Sequence, residues 1–271
     1  MDRIRKALDL ARQDRARSVD AESAAAPARN PRRTPLARVI QYTNTRVFSP
    51  RPEVLESNRI VAPSGTDAAA SAFRMLRTQV VQRMDDKGWR SLAILSADAE
   101  DGKTTTAINL AISLANDERH TVLLVDGDLK QPGIAGKLGI EPEFGLNDVL
   151  GGYASIEQCL YHPDEFDRFV VLPTRAPLPN SSEALSGPRG RELVAELRER
   201  YPERIVVFDL PPILGADDAL AFLPLIDCGL MVVAEGSTRR EDLLRCMELT
   251  RKTPIVGTVL NRATSIAPAY G

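Results

Sequence analysis

Ser96-Ala97-Asp98-Ala99-Glu100-Asp101-Gly102-Lys103-Thr104-Thr105-Thr106 is the stretch that decides how this chain folds. Leu92-Ala93-Ile94-Leu95 leads into it, and Ala107-Ile108-Asn109-Leu110-Ala111 follows. An apolar strand, a loop closing on Gly-Lys-Thr and then a helix make a phosphate-binding loop. In such a loop successive backbone N–H groups and the positive end of the helix dipole converge on one anion. Gly102 lets the backbone approach, Lys103 reaches the β- and γ-phosphate oxygens, and the Thr104 hydroxyl can ligate Mg²⁺. Ala99, Glu100, Asp101 and Thr105 complete the expected nucleotide cradle. Ala97 stands where the usual pattern opens with glycine, six residues before the lysine.

Two further apolar runs end in carboxylates. Val122-Leu123-Leu124-Val125 runs into Asp126-Gly127-Asp128, and Ile205-Val206-Val207-Phe208 runs into Asp209. With a strand period of two, Asp126 and Asp128 face the same side if the chain stays extended. Both would emerge at the carboxyl end of a strand, where open α/β sheets bind ligands. A single strand-end aspartate commonly caps the next helix. Two such strands beside a phosphate loop suit Mg²⁺, which takes oxygen ligands and waters oriented by carboxylates. The expected metal set is therefore Thr104, Asp126 and Asp209.

Outward from these motifs, short apolar strands are expected over 92–95, 122–125, 169–172, 205–208, 230–234 and 255–260. Strands so uniformly apolar are those covered on both faces. Helices are expected over 104–116, 189–200, 217–223 and 241–250. The alternation predicts a doubly wound α/β domain with a mostly parallel sheet.

The 271 residues can form one sizeable core with appendages, and 43% hydrophobic and 27% charged residues are the proportions of a soluble globular protein. A formal charge of −2 argues against nucleic acid as a partner. The apolar runs are strand-sized, too short to span a bilayer, and the start of the chain has no secretory leader pattern. Cys159, Cys228 and Cys246 have no paired spacing and read as reduced thiols of a cytoplasmic protein. His120 and His162 stand alone, without a metal-site pattern.

Four regions are expected. Residues 1–17 can form a basic amphipathic helix, with Ile4, Leu8 and Ala11 on one face. It reads either as a solvated terminus or as a docking element. Residues 18–58, rich in Ala, Pro, Arg and Ser, read as a flexible linker. Residues 59–264 form the nucleotide-binding domain, entered through a helix capped by Thr66 or Asp67. Phe73, Leu76, Val80 and Met84 share the buried face of that helix, with Arg74 and Arg77 on its outer side. Residues 265–271 are a tail carrying Tyr270.

The run Asp126-Gly127-Asp128-Leu129-Lys130-Gln131-Pro132 resembles the second aspartate motif of the bacterial tyrosine kinases, the ATPases of capsule and exopolysaccharide assembly. That motif usually reads Asp-x-Asp-x-Arg-x-Pro. Gly145 to Leu150, Leu172-Pro173, Asn180 to Leu185, Asp209 to Pro212, Asp217 to Leu220 and Val259 to Arg262 are similar to further family segments. The likeness is closest to the free-standing branch, whose membrane-spanning partner is a separate polypeptide. It implies a P-loop NTPase of the deviant superfamily that also holds the ParA- and MinD-type positioning ATPases.

The resemblance implies an ATP- and Mg²⁺-dependent tyrosine autokinase that regulates exopolysaccharide polymerisation or export. It would work at the inner face of the membrane through a membrane-embedded co-polymerase that determines chain length. By the same resemblance Lys103, Asp126, Asp128 and Asp209 are catalytic, with Asp128 orienting or deprotonating the acceptor hydroxyl. Asn261 and Arg262 contact adenine, and Tyr270 is the phosphoacceptor. Arg74 and Arg77 belong to a family element, Glu-x-x-Arg-x-x-Arg, that joins subunits into a homo-oligomer, and Ser71 replaces its glutamate. Two rival readings stay open. One is a non-kinase switch of the positioning class, which usually has a second lysine where this chain has Asp98. The other is a nucleotide-binding scaffold that transfers no phosphate.

Overall fold

The structure, a computed structural model, describes residues 45–61, 65–200 and 203–264. The expected helix over 1–17, the linker as far as residue 44 and the tail with Tyr270 lie outside the described residues. Among the described residues eight strands form one sheet: β1 (Arg46–Phe48), β2 (Ser91–Ser96), β3 (Thr121–Asp126), β4 (Tyr161–Pro163), β5 (Phe169–Leu172), β6 (Arg204–Asp209), β7 (Cys228–Ala234) and β8 (Ile255–Asn261). Their spatial order is β1-β4-β5-β3-β6-β2-β7-β8, and every neighbouring pair is parallel except β4 with β5. The helices are α1 (Pro52–Ser57), α2 (Ala68–Lys87), α3 (Lys103–Ala115), α4 (Ile134–Leu138), α5 (Leu146–Gly151), α6 (Ser181–Ser186), α7 (Pro188–Glu199), α8 (Asp218–Phe222) and α9 (Arg240–Leu249).

The strand period sorts the apolar side chains into two cores, one on each face of the sheet. Leu92, Ile94, Val122, Leu124, Ile205 and Val207 pack with Ile108 and Leu110 of α3 and Val80, Val81 and Met84 of α2. Ala93, Leu95, Leu123, Val125, Val206 and Phe208 pack with Leu193, Val194 and Leu197 of α7 and Phe222 of α8. Burial of each large side chain contributes about 1.5–3 kcal/mol before conformational entropy is charged against it. The central strands β2, β3 and β6 are thereby fixed in register, because a one-residue slip would exchange the two faces. α3 is buried almost all round, so the helix that follows the phosphate loop cannot tilt without disturbing the core. The three cysteines are free and buried, and burial pushes their thiols up to about 12, 12 and 11 for Cys159, Cys228 and Cys246.

Two expectations are corrected here. Residues 46–57 are not linker: β1 pairs with β4, and Leu55 of α1 is buried with Ile60 in the first core. Phe48, packed against the first core, and Leu55 are the apolar anchors, and the basic and proline-rich composition around them hides the pattern. Asn109 of α3 also holds this segment, its side-chain oxygen accepting from Val61 N–H at 2.7 Å and its amide donating to the Arg59 carbonyl at 2.9 Å.

α2 begins at Asp67, which accepts from Ala70 N–H at 2.6 Å, and stops at Gly88 in the left-handed region. Two of its arginines, Arg74 and Arg77, are less exposed than an outer face implies. Arg74 and Arg77 are half-buried, Arg74 donating to the Gly65 carbonyl and to Ser71 Oγ, both at 2.7 Å, and Arg77 to the Ser113 carbonyl at 3.1 Å. Ser71, which stands in place of the family glutamate, is itself one of the acceptors.

Candidate functional site

β2 delivers the chain into a one-turn 3₁₀ helix, Ala99–Asp101, before α3 starts. Asp98 and Asp101 cap this turn reciprocally: Asp98 accepts from Ala99 N–H at 2.6 Å, and Asp101 Oδ2 accepts from Asp98 N–H at 3.0 Å. The position at which the positioning ATPases carry a second lysine is therefore a capping carboxylate in this chain. Gly102 follows with φ of 86°, and a Cβ there would fall 2.0 Å from Asn261 Nδ2. Only glycine satisfies both the left-handed backbone and that close approach.

Lys103 opens α3 with its side chain 3% exposed. Its Nζ lies 2.6 Å from Asp209 Oδ1 at the end of β6, 3.9 Å from Asp128 Oδ2 and 3.5 Å from Thr104 Oγ1. Asp126 and Asp209 are register partners across β3 and β6, so the strand pairing itself sets the two carboxylates side by side. Gly127 permits the crossing between them, because a Cβ there would meet Leu210 Cδ2 at 2.9 Å and the Asp209 carbonyl at 3.1 Å. The structure thus brings together Lys103, Thr104, Asp126, Asp128 and Asp209.

The electrostatics follow from burial. Asp126 Oδ2 accepts from Gly133 and Ile134 N–H at 3.1 and 3.0 Å, yet burial, reinforced by the neighbouring Asp209 charge, pushes its carboxyl up to about 8. Burial also raises the Asp128 carboxyl, with Lys103 opposing the shift. Asp126 Oδ1 and Asp209 Oδ2 are buried oxygens without a hydrogen-bond partner. A buried oxygen of this kind is an acceptor awaiting a donor or a cation. Among the described residues no cluster of three or more His, Cys, Asp or Glu side chains could hold a metal by itself. In a P-loop site the metal takes only a few protein oxygens, the rest being phosphate and water, so these orphaned oxygens fit Mg²⁺.

Beside the loop lies a cavity of about 620 Å³, lined among others by Leu55, Phe73, Thr105, Asn109 and Asn261. Asn261, at the end of β8, also donates to the Asp101 carbonyl at 2.9 Å, and Arg262 donates to the Glu100 carbonyl at 2.5 Å. Arg74 and Arg77 lie on α2 with partners of their own, and neither is hydrogen-bonded to a residue of the carboxylate cluster.

Two contributors carry no signal in the sequence. Thr174 Oγ1 donates to the Asp126 carbonyl at 2.7 Å, and Thr238 Oγ1 donates to Asp101 Oδ1 at 2.6 Å. Each belongs to a loop without periodicity, far from the motif it supports.

Residues 90–226 match the AAA domain family. Tyrosine-protein kinase YwqD of Bacillus subtilis (strain 168) is 31% identical over 210 residues, 76% of this chain and 86% of that protein. The succinoglycan biosynthesis transport protein ExoP of Rhizobium meliloti (strain 1021) is 31% identical over 211 residues, again 76% of this chain but 26% of its own length. Among solved structures, the kinase domain of the Escherichia coli tyrosine kinase ETK matches with a TM-score of 0.66 at 29% identity, over 76% of this chain and 81% of that one. The chain spans most of the shorter relative and about a quarter of the longer one. The phosphate loop, on these matches and its own geometry, is a nucleotide-binding loop.

Proposed function

Since the chain belongs to the bacterial tyrosine-kinase family, we propose that it transfers the γ-phosphoryl group of Mg·ATP to tyrosine hydroxyls and so regulates exopolysaccharide polymerisation or export. The observation that carries the reading is Lys103 Nζ, 2.6 Å from Asp209 and 3.9 Å from Asp128. A lysine among three carboxylates is a poor receptor for bare polyphosphate, whose charge the aspartates would repel. It becomes a good one when a divalent cation arrives with the nucleotide. Thr104, Asp126 and Asp209 would hold Mg²⁺, which supplies charge neutralisation on the phosphate oxygens.

Asp128 takes the phenol proton of the acceptor tyrosine. The phenol oxygen then bonds to the γ-phosphorus as the bond to the β–γ bridging oxygen breaks, and ADP leaves. A carboxyl raised by burial is a stronger base than an exposed one, which suits this role. Lys103 leaves Asp209 for the β- and γ-oxygens and stabilises the charge that develops there. Such transfer depends mainly on positioning and electrostatics. Backbone groups of residues 99–105 cradle the phosphates, and the base lies in the cavity beside Thr105 and Asn261. Arg262, engaged with Glu100, supports the loop.

The proposed partner is a membrane-embedded co-polymerase, with the chain held against the inner face of the membrane through it. Among the described residues no helix is long and apolar enough to cross a membrane. Tyr270 is the proposed main acceptor, and self-association is the proposed means by which one copy reaches the tail of another. Phosphotyrosine mass spectrometry after incubation with Mg·ATP, with and without the partner's cytoplasmic segment, tests the reading. Phosphotyrosine that disappears in Asp128→Asn supports it. A wild-type chain that hydrolyses ATP but labels no tyrosine under either condition sinks it in favour of an ATPase switch.

A further inference from the structure

We propose that Thr238 is a positioning residue for nucleotide binding, its hydroxyl locking the buried Asp101 carboxylate and with it the turn that presents the phosphate-binding N–H groups. The inference rests on the nucleotide-binding role of the loop, not on transfer to tyrosine. Asp101 is 1% exposed in the very loop that must receive a polyanion, where an unattached carboxylate would repel the ligand. Both of its oxygens are occupied. Oδ2 accepts from Asp98 N–H at 3.0 Å, which closes the turn, and Oδ1 accepts from Thr238 Oγ1 at 2.6 Å.

The direction of that second bond is fixed. Thr238 Oγ1 accepts from Ala234 N–H at 2.8 Å, so its single proton is free to point at Asp101. Ala234 ends β7, the strand paired with β2, and β2 is the strand that feeds the loop. Thr238 therefore pins the turn to the sheet from the side, while Asn261 and Arg262 hold the Asp101 and Glu100 carbonyls from the end of β8. Of these three tethers only the Thr238 hydroxyl reaches the carboxylate itself. Without it, Asp101 Oδ1 and Ala234 N–H are both stranded. The carboxylate then recovers a partner by rotating, which breaks its bond to Asp98 and loosens the turn. The catalytic side chains, on α3, at the ends of β3 and β6 and, for Asp128, just after β3, keep their places.

The experiment uses the full chain and compares Thr238→Val, which keeps the shape and removes the hydroxyl, with Thr238→Ser, which restores it. Dissociation constants for a fluorescent ADP are measured with Mg²⁺, alongside KM and kcat for ATP and melting of the nucleotide-free chain. Thr238→Val should weaken binding and raise KM about tenfold, equivalent to about 1.4 kcal/mol, with kcat at saturation within about twofold of wild type. Thr238→Ser should bind within about twofold of wild type. Should Thr238→Val fail to fold, Thr238→Ala is judged by the same thresholds. Wild-type affinity in the hydroxyl-free variant overturns the proposal, and so does a Thr238→Ser as weak as Thr238→Val. A wild-type chain that binds no nucleotide overturns the site reading beneath it, a result distinct from either.

Discussion

Replacing Lys103 with methionine should unfold the nucleotide-free protein more readily, as well as disable its site. The lysine is 3% exposed and its partner Asp209 is fully buried, with a single ion pair of 2.6 Å between them. Lys103 Nζ donates to Asp209 Oδ1, so Asp209 is the buried carboxylate that the lysine compensates. Methionine fills the same space and leaves that anion alone in the core. Breaking a buried pair from one side costs about 3–5 kcal/mol, and about 3 kcal/mol is the least expected here. For a domain of this size about 3 kcal/mol lowers the melting temperature by roughly 6–12 °C. The assay is thermal denaturation followed by circular dichroism, without nucleotide or metal, for Lys103→Met, Asp209→Asn and the double variant. The double variant should recover at least about 1.5 kcal/mol relative to additivity, since the neutral amide no longer needs the lysine. A Lys103→Met that melts with the wild type, or strictly additive single variants, would refute the reasoning.

The raised carboxyl of Asp126 makes the folded state bind more protons than the unfolded chain between the ordinary value of 3.8 and about 8, so wild-type stability should fall as pH rises through that window. Asp126→Asn should flatten the fall and be the more stable protein at pH 9 without ligand, and denaturant titrations at several pH values read this directly. Calorimetry in buffers of different ionisation heat should show proton release when Mg·ADP binds wild type at pH 7, and none in Asp126→Asn. Asp128→Asn should lower kcat for phosphotyrosine formation at least about a hundredfold while the dissociation constant for Mg·ADP stays within a few-fold. Tyr270→Phe should remove most phosphotyrosine, and peptide mapping should assign any remainder in the described fold to Tyr153, 82% exposed, rather than to Tyr161 at 5%.

What the sequence made legible is what has short-range pattern. The apolar runs before Asp126 and Asp209 announce buried parallel strands, and the Gly102-Lys103-Thr104 turn announces the phosphate site, so the sheet and the loop could be read before any coordinates. β1 and α1 escaped because three- and six-residue elements carry only two apolar residues each, set among arginines and prolines. The pairing of Lys103 with Asp209 joins residues 106 apart and depends on strand order, which no local spacing encodes. Thr238 and Thr174 are illegible for the same reason, being single hydroxyls in loops whose value comes entirely from where the sheet carries them. Arg74 and Arg77 are a mixed case: their motif is visible in the sequence, whereas the intrachain acceptors they meet, Gly65, Ser71 and Ser113, depend on how α2 packs.

Asn109 holds both the Arg59 carbonyl and the Val61 N–H from the middle of the helix that begins at Lys103. The segment just upstream of residue 61 is consequently leashed to that helix as well as laced to β4 through the edge strand β1. Tension applied ahead of residue 45 would fall in turn on a three-residue edge strand, on Leu55 and Ile60 in the core, and on the amide clamp. The strand should peel first, being short and at the rim. Once the core anchors also give, any further pull bears on the second turn of the phosphate-binding helix, as a load on the shaft of a lever whose tip is Lys103.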